Sequence, residues 1–160
     1  MNFTTADLCD AFPDAVKVAE PVLVRYGGLS RFGGPIETIR VFEDNGLVRA
    51  TLETPGEARV LVVDGGGSLR TALVGGRLAA LAQTNGWAGI VVNGCVRDSA
   101  EMAEIAIGIR ALTTSPMRSS KSGAGTRGAP VTFAGLVFTP GHYLYSDADG
   151  LLVAGRSLTD

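Results

Sequence analysis

The chain has few of the side chains that build metal clusters. Its 160 residues include two cysteines and one histidine. Cys9 and Cys95 lie far apart with no C-x-x-C spacing, and His142 stands alone, so a zinc site made of histidine and cysteine is disfavoured. Two such isolated cysteines indicate reduced thiols rather than a disulfide framework.

Lysine is almost absent as well. Lys17 lies near the start and Lys121 lies in a segment rich in glycine and serine, so neither is placed on an apolar strand. A lysine that forms a Schiff base must be desolvated to lower its pKa, and neither position offers that environment. A carbon-carbon lyase built on this chain would therefore have to use a metal.

Clusters of basic residues and long apolar runs are also missing. The 14 basic residues are scattered along a chain of net charge -2, which gives no electrostatic footprint for nucleic acid. The first residues lack the basic start and apolar core of a signal peptide, and no apolar run approaches eighteen residues, so we expect a cytoplasmic protein without membrane contact. A hydrophobic content of 46% fits one globular domain over residues 1–160.

Two apolar runs dominate the middle of the chain. Val60 to Val63 and Ala88 to Val92 are continuous and β-branched, which is typical of strands covered on both faces. Between them, Ser68 is expected to cap a short helix through Leu69, Ala72, Leu73 and Val74, and a second helix is expected around Leu78 to Ala82. Strand, helix and strand in this order predict a right-handed parallel crossover.

The flanking segments are expected to add helices and short strands. Before the central unit we expect a helix capped by Thr4 and ending before Pro13, strands over 22–26 and 32–41, and a helix over 43–53 with acidic residues in its first turn. After it we expect a helical turn over 99–104, a strand over 105–112 and an irregular loop over 115–128. Short strands are expected over 131–138, 143–146 and 151–154. Pro35 indicates an edge strand or a bend. A neighbouring subunit could order the long loop.

The best candidates for chemistry follow the second apolar run. Arg97 offers a planar fork to a carboxylate or keto oxygen, and Asp98 can hold a hard divalent ion that keeps several waters. The alternative is a salt bridge between the two at a strand end. The N-H groups of Gly75, Gly76, Arg77 and Leu78, just before a helix, could receive an anionic oxygen, although the glycines could instead form a simple break between helices.

Other polar residues have simpler interpretations. Asp64 to Gly67 lacks the third glycine and the later acidic residue of a dinucleotide fingerprint. We interpret His142 as a packed or hydrogen-bonded loop residue, and Asp147 and Asp149 as turn residues.

Several collinear motifs identify a family. The segments Val63 to Leu73, Gly94 to Asp98 and Ile107 to Leu112 closely resemble the family that joins the regulator of ribonuclease activity A proteins to the 4-hydroxy-4-methyl-2-oxoglutarate aldolases. The resemblance covers nearly the whole chain. It implies an α/β protein of three layers, β/β/α, like the swivelling domain of phosphotransfer enzymes, with a central mostly parallel sheet and a smaller antiparallel one. It also implies a ring-shaped homotrimer with sites at subunit interfaces.

The aldolase branch of this family implies a role for each candidate residue. Backbone amides of Gly75, Gly76, Arg77 and Leu78 would bind the substrate carboxylate, Arg97 would hold keto-acid oxygens, and Asp98 would bind Mg²⁺ or Mn²⁺. Retro-aldol cleavage and oxaloacetate decarboxylation both pass through a pyruvate enolate, whose charge a cation stabilises.

One position departs from the aldolase pattern, which is an aspartate, twenty residues, and then Arg-Asp. Counting back from Arg97 places Gly76 where the first carboxylate belongs. Since supporting carboxylates of this kind contribute about ten- to a hundredfold, weak aldolase activity is expected. The nearest carboxylate by sequence that could compensate is Asp64.

Two alternative functions come with the resemblance. The regulator branch implies a protein that binds an endoribonuclease by protein-protein contact and slows RNA decay. Some relatives have been named methyltransferases of menaquinone synthesis, but no acidic residue ends the next strand to hold an adenosyl ribose.

Overall fold

The computed structural model describes residues 2–159. Its elements in chain order are α1 (Thr5–Ala11), β1 (Val16–Val18), β2 (Val24–Arg25), β3 (Phe32–Arg40), α2 (Gly46–Leu52), β4 (Val60–Asp64), β5 (Ala72–Val74), α3 (Gly76–Thr84), β6 (Gly89–Val96), α4 (Ser99–Met102), β7 (Gly108–Thr114), β8 (Thr126–Arg127), β9 (Val131–Phe133), β10 (Leu136–Phe138), β11 (Tyr143–Ser146) and β12 (Leu151–Ala154). None of the helices described is long and apolar enough to cross a membrane.

The predicted parallel unit is confirmed. Strand β4 pairs in parallel with β3 on one side and with β6 on the other, and β6 pairs in parallel with β7. Antiparallel strands extend this sheet at both ends, and β5 and β8, which pair with β6 and β3, bring it to ten strands. Strands β9 and β10 form a separate small antiparallel sheet. A large mixed sheet with a parallel centre and a small antiparallel sheet is the architecture that the family resemblance implies.

Successive side chains of β4 point to opposite faces of the sheet, and both faces are covered, which produces three layers. Leu61 and Val63 pack into a core with helices α2 and α3, whereas Val60 and Val62 pack into a second core with residues of β9 to β12. All four side chains are fully buried, because both faces of the strand are covered. One face of the parallel sheet therefore carries the helices and the other carries antiparallel strands.

The first predicted helix after Ser68 is wrong. Ala72 to Val74 form strand β5, which is buried and pairs in parallel with β6. The spacing of apolar residues fits a helix equally well, but pairing with β6 supplies hydrogen bonds while burying all three residues. Leu69 is 59% exposed, and the Ser68 hydroxyl donates to Glu43 instead of capping a helix. The second predicted helix is confirmed as α3.

Two boundaries also differ from expectation. Helix α2 begins at Gly46, so it has no acidic residue in its first turn. Glu43 has a left-handed backbone with φ of 51° and lies before the helix.

Strand β3 is an interior strand rather than an edge: Pro35 is its last residue paired with β11, and pairing with β4 starts at Ile36. The proline is tolerated because it stands where the partner strand changes.

The segment after β7 is irregular, as expected, but contacts within the same chain hold it. Asp44 accepts hydrogen bonds from the hydroxyl and amide of Ser122 and from the amides of Gly123 and Gly46. The hydrogen bond from the Ser122 hydroxyl, together with those from the three amides, lowers the pKa of Asp44 to about 2, against the opposing effect of burial. The loop is thereby fixed beside the start of α2.

Asp147 does more than form a turn. Its carboxylate accepts hydrogen bonds from the Thr5 amide and hydroxyl, which ties α1 to the turn before β12.

The buried Arg110 donates to the carbonyl oxygens of Leu23, Asp147 and Gly150 and to the Ser146 hydroxyl. One guanidinium therefore satisfies the carbonyl groups of two separate loops.

Candidate functional site

A cavity of about 840 Å³ opens where β5 and β6 end and α3 begins. Such strand ends are the usual position of ligand sites in parallel sheets. Five of the six residues proposed from the sequence line it, namely Gly75, Arg77, Leu78, Arg97 and Asp98. The other lining residues are Asn45, Gly46, Arg49, Ala72, Glu101, Arg118, Ser119, Lys121 and Gly123.

The backbone of Asp98 directs its carboxylate toward α3. Asp98 adopts a left-handed conformation with φ of 60° and ψ of 42°, which aspartate tolerates better than most residues. It precedes α4 but makes no side-chain cap there; instead its Oδ2 accepts the Gly76 N-H at 3.0 Å. No bond within residues 2–159 engages Oδ1, so the exposed carboxylate keeps one oxygen for a ligand.

Arg97 does not pair with its neighbour. Its Nη1 donates to the Pro116 carbonyl at 3.4 Å, and within the described chain it has no ion pair with any carboxylate. The salt-bridge alternative for Arg97 and Asp98 is therefore wrong. A half-buried guanidinium without a carboxylate partner is suited to bind an anionic oxygen that enters the cavity.

The start of α3 offers fewer amides than the sequence predicts. The Gly76 N-H is occupied by Asp98, and the first bond within the helix runs from the Ala79 N-H to the Gly75 carbonyl. The N-H groups of Arg77 and Leu78 precede that bond, so the helix leaves both of them without a partner. The remaining anion-binding capacity lies at these two positions.

Gly76, the sixth residue, is buried and does not line the cavity. A methyl group added to it would lie 2.5 and 2.7 Å from the two carboxylate oxygens of Glu101, which therefore occupy the space above it. Glu101 is not among the residues predicted from the sequence, although the predicted helical turn over 99–104 contains it. A residue three positions after Asp98 in such a turn lies on the same side.

Asp64 does not compensate for Gly76 in the way the sequence suggested. Its Oδ1 accepts bonds from the Gly66 N-H and the Asn93 side chain, and its Oδ2 lies 3.7 Å from Arg40. It lines a different cavity, together with Phe42.

His142 is exposed in the turn before β11, outside the cavity at Asp98.

Positive charge dominates the cavity. Arg49 and the loop residues Arg118 and Lys121 line it together with Arg77 and Arg97, whereas Asp98 and Glu101 are its acidic residues. Lys121, in the segment rich in glycine and serine, is brought to the cavity by the loop that Asp44 anchors. The excess of basic residues favours ligands with more than one negative charge.

The donor set suits a hard divalent cation. Asp98 supplies a free carboxylate oxygen, the type of ligand that Mg²⁺ and Mn²⁺ prefer. Within residues 2–159 no group of three His, Cys, Asp or Glu side chains is placed to hold a metal ion. Magnesium fits such a sparse site, because it usually keeps several waters and takes one or two protein carboxylates.

The fold and the cavity define a layered α/β protein with a basic, ligand-sized cleft beside one exposed aspartate. The family model "RraA-like: Aldolase/RraA" matches residues 5–153, and the chain belongs to this family. A protein of Burkholderia multivorans, provisionally named 4-hydroxy-4-methyl-2-oxoglutarate aldolase, is 57% identical over 99% of this chain and 100% of its own length. A protein of Alkalilimnicola ehrlichii with the same provisional name is 55% identical over 99% of this chain and 98% of its own.

Solved structures agree with the fold and carry other names. A structure from Geobacillus kaustophilus, described as an S-adenosylmethionine: 2-dimethylmenaquinone methyltransferase, has a TM-score of 0.95 and 50% identity over 98% of this chain and 97% of that one. The RNA-processing inhibitor RraA from Thermus thermophilis has a TM-score of 0.94 and 46% identity over 99% and 96% of the two chains. Relatives of one fold therefore bear names from three functional classes.

Proposed function

We propose that the protein is a divalent-metal-dependent lyase of the 4-hydroxy-4-methyl-2-oxoglutarate aldolase type, which releases pyruvate from keto acids and also decarboxylates oxaloacetate. The observation that carries the proposal is Arg97, which has no carboxylate partner among residues 2–159, beside the free carboxylate oxygen of Asp98 in a basic cavity. The provisional aldolase names of relatives at 55% and 57% identity support it.

The two ends of the substrate meet different parts of the cavity. The carboxylate next to the keto group binds the free amides of Arg77 and Leu78 at the start of α3. Arg97 donates to the keto oxygen, where negative charge develops as the carbon-carbon bond breaks. Asp98, fixed by Gly76, would hold Mg²⁺ or Mn²⁺, and the bound ion would supply electrophilic stabilisation of the charge on the enolate oxygen.

The loop residues that line the cavity select the second charge of the substrate. Arg118 and Lys121 are exposed and have no ion-pair partner among residues 2–159. They attract the distal carboxylate of a keto diacid, whereas a neutral aldol of the same size gains nothing from them. The proposed substrate class is therefore a 2-keto diacid with a hydroxyl or carboxylate group two carbons from the ketone.

The test is pyruvate release with and without Mg²⁺ or Mn²⁺, measured on 4-hydroxy-4-methyl-2-oxoglutarate and on oxaloacetate. Asp98→Asn keeps the left-handed backbone and an oxygen for the Gly76 N-H but removes the charge, so we expect both activities to disappear in a folded protein. Asp10→Asn, an exposed change outside the cavity, is the control and retains both. Equal activity of the wild type and Asp98→Asn rejects the proposal.

Regulation of a ribonuclease is the second candidate, because the Thermus relative is described as an RNA-processing inhibitor. Such a protein acts through its surface, so Asp98→Asn would leave binding to an endoribonuclease unchanged. A pull-down with the host ribonuclease, repeated with Asp98→Asn, separates this function from catalysis.

The homotrimer that the family resemblance implies stays a prediction. Light scattering of the purified protein, which gives the molar mass of the assembly, tests it.

A further inference from the structure

Glu101 has an unusual position for an exposed acidic residue. Its carboxylate lies over Gly76 at the start of α3, where a methyl group would come within 2.5 and 2.7 Å of the two oxygens. Its neighbour Asp98 occupies the equivalent space above Gly75, where a methyl group would lie 2.8 Å from Oδ2. Two consecutive glycines therefore leave room for two carboxylates from the α4 segment.

The two carboxylates differ in their bonding. Asp98 is held by the Gly76 N-H, whereas the Glu101 carboxylate has no hydrogen bond or ion pair within residues 2–159. Both line the cavity next to Arg97. A carboxylate that is not committed to a donor can accept a proton and return it, which a fixed metal ligand cannot do.

We propose that Glu101 is the proton carrier of the aldol cleavage; this inference rests on the proposed function. The Glu101 carboxylate takes the proton from the C4 hydroxyl of 4-hydroxy-4-methyl-2-oxoglutarate. The C3-C4 bond then breaks, C4 becomes the ketone of one pyruvate, and the electron pair of the bond forms the enolate of the other. Glu101 returns the same proton to C3 of the enolate, which gives the second pyruvate and regenerates the carboxylate.

The inference separates two reactions of one site. Aldol cleavage requires removal of the hydroxyl proton, whereas oxaloacetate has no hydroxyl group and its C-C bond breaks with loss of carbon dioxide. Asp98 and Arg97 are needed for both reactions, because both form an enolate. Glu101 is needed for bond cleavage in only the first.

Two variants take the Glu101 carboxylate away from its position over Gly76, one by replacing it and one by displacing it. Glu101→Gln keeps the shape and removes the base. Gly76→Ala keeps Glu101 but displaces its carboxylate; the backbone of Gly76 is helical, so alanine fits it without strain and retains the N-H bonded to Asp98. Glu104→Gln, an exposed change outside the cavity, is the matched control.

We expect Glu101→Gln and Gly76→Ala to lower the kcat of aldol cleavage about a hundredfold or more, the usual contribution of general acid-base catalysis. Oxaloacetate decarboxylation stays within about threefold of the wild type, a change too small for the loss of an acid-base group. Exchange of the pyruvate methyl protons in D₂O, followed by NMR, slows in both variants, because it also requires a base at C3. Glu104→Gln changes none of these rates.

The result that overturns the inference is aldol cleavage by Glu101→Gln at the wild-type rate while Asp98→Asn is inactive, which leaves the proposed function intact. A parallel loss of both reactions in Glu101→Gln also overturns it, since Glu101 would then act in binding rather than in proton transfer. If the wild type releases no pyruvate from either substrate, the proposed function itself fails.

Discussion

The Asp98 carboxylate accepts the Gly76 N-H at 3.0 Å, which joins the end of β6 to the first turn of α3. This bond fixes the direction of a carboxylate that is otherwise exposed and free to rotate. It also places the negative charge of Asp98 at the positive end of a helix. The position of the proposed metal ligand therefore depends on a glycine 22 residues earlier in the sequence and adjacent in space.

Gly75→Ala tests this placement. The added methyl group would lie 2.8 Å from Asp98 Oδ2, and the backbone of Gly75, with φ of -119° and ψ of -170°, accepts alanine. We expect a folded protein in which the carboxylate is displaced and pyruvate release falls at least about tenfold, as for other groups that orient a metal ligand. Steady-state kinetics at saturating Mg²⁺ measures this, and Gly150→Ala, which has open space around it, serves as control. Unchanged kinetics in Gly75→Ala would show that this orientation is unimportant.

Arg118→Ala tests the loop side of the cavity. In the proposed function the guanidinium binds the distal carboxylate equally in the ground and transition states, so we expect its loss to raise KM and leave kcat unchanged. Because the side chain is exposed, we expect a rise of about fivefold, which corresponds to roughly 1 kcal/mol. Arg127→Ala, whose guanidinium pairs with Glu37 outside this cavity, is the control. A fall in kcat with KM unaltered would contradict this role.

Asp44 predicts a pH dependence of stability. The Ser122 hydroxyl and three amides lower its pKa to about 2 from an ordinary 3.8. A depressed pKa in the folded state means that the stabilisation is complete above the unfolded value and is lost as the pH falls from 3.8 toward about 2. The difference in urea midpoint between wild type and Asp44→Asn is therefore expected to be large at neutral pH and to shrink as the pH approaches 2. A difference that stays constant over this range would contradict the assignment.

Arg110 predicts a large loss of stability on replacement. Arg110→Met fills much of the same volume but leaves three buried acceptors, on Leu23, Ser146 and Asp147, without this donor. Since an unsatisfied buried acceptor costs about 1–3 kcal/mol, we expect the free energy of unfolding to fall by at least about 3 kcal/mol. Arg110→Lys recovers only part of this loss, because an ammonium cannot reproduce the planar fork. Urea denaturation of both variants measures the effect.

Local sequence determines the centre of the fold. The runs that form β4 and β6 are continuous and β-branched, which only a strand buried on both faces requires, and the polar residues after them mark the strand ends. For this reason Arg97 and Asp98 could be placed at the edge of the parallel sheet from the sequence. The start of α3 was equally visible, because two glycines precede a helical pattern.

Contacts between segments distant in sequence determine the parts of the fold and of the site that the sequence did not predict. Strand β5 is stabilised by pairing with β6, and no local pattern distinguishes its three apolar residues from a helical turn. Lys121 reaches the cavity because Asp44, nearly eighty residues earlier, holds its loop. Glu101 lies in a helical turn that the sequence predicts, but only the folded structure shows that this turn places its carboxylate over Gly76, twenty-five residues earlier.

The most direct test is a crystal structure of the protein with Mn²⁺ and pyruvate, in which anomalous scattering locates the metal. The account predicts a manganese peak beside the Oδ1 of Asp98. It also predicts pyruvate between this ion and Arg97, with its carboxylate on the amides of Arg77 and Leu78. Manganese bound away from Asp98, or pyruvate bound away from Arg97, would contradict the account.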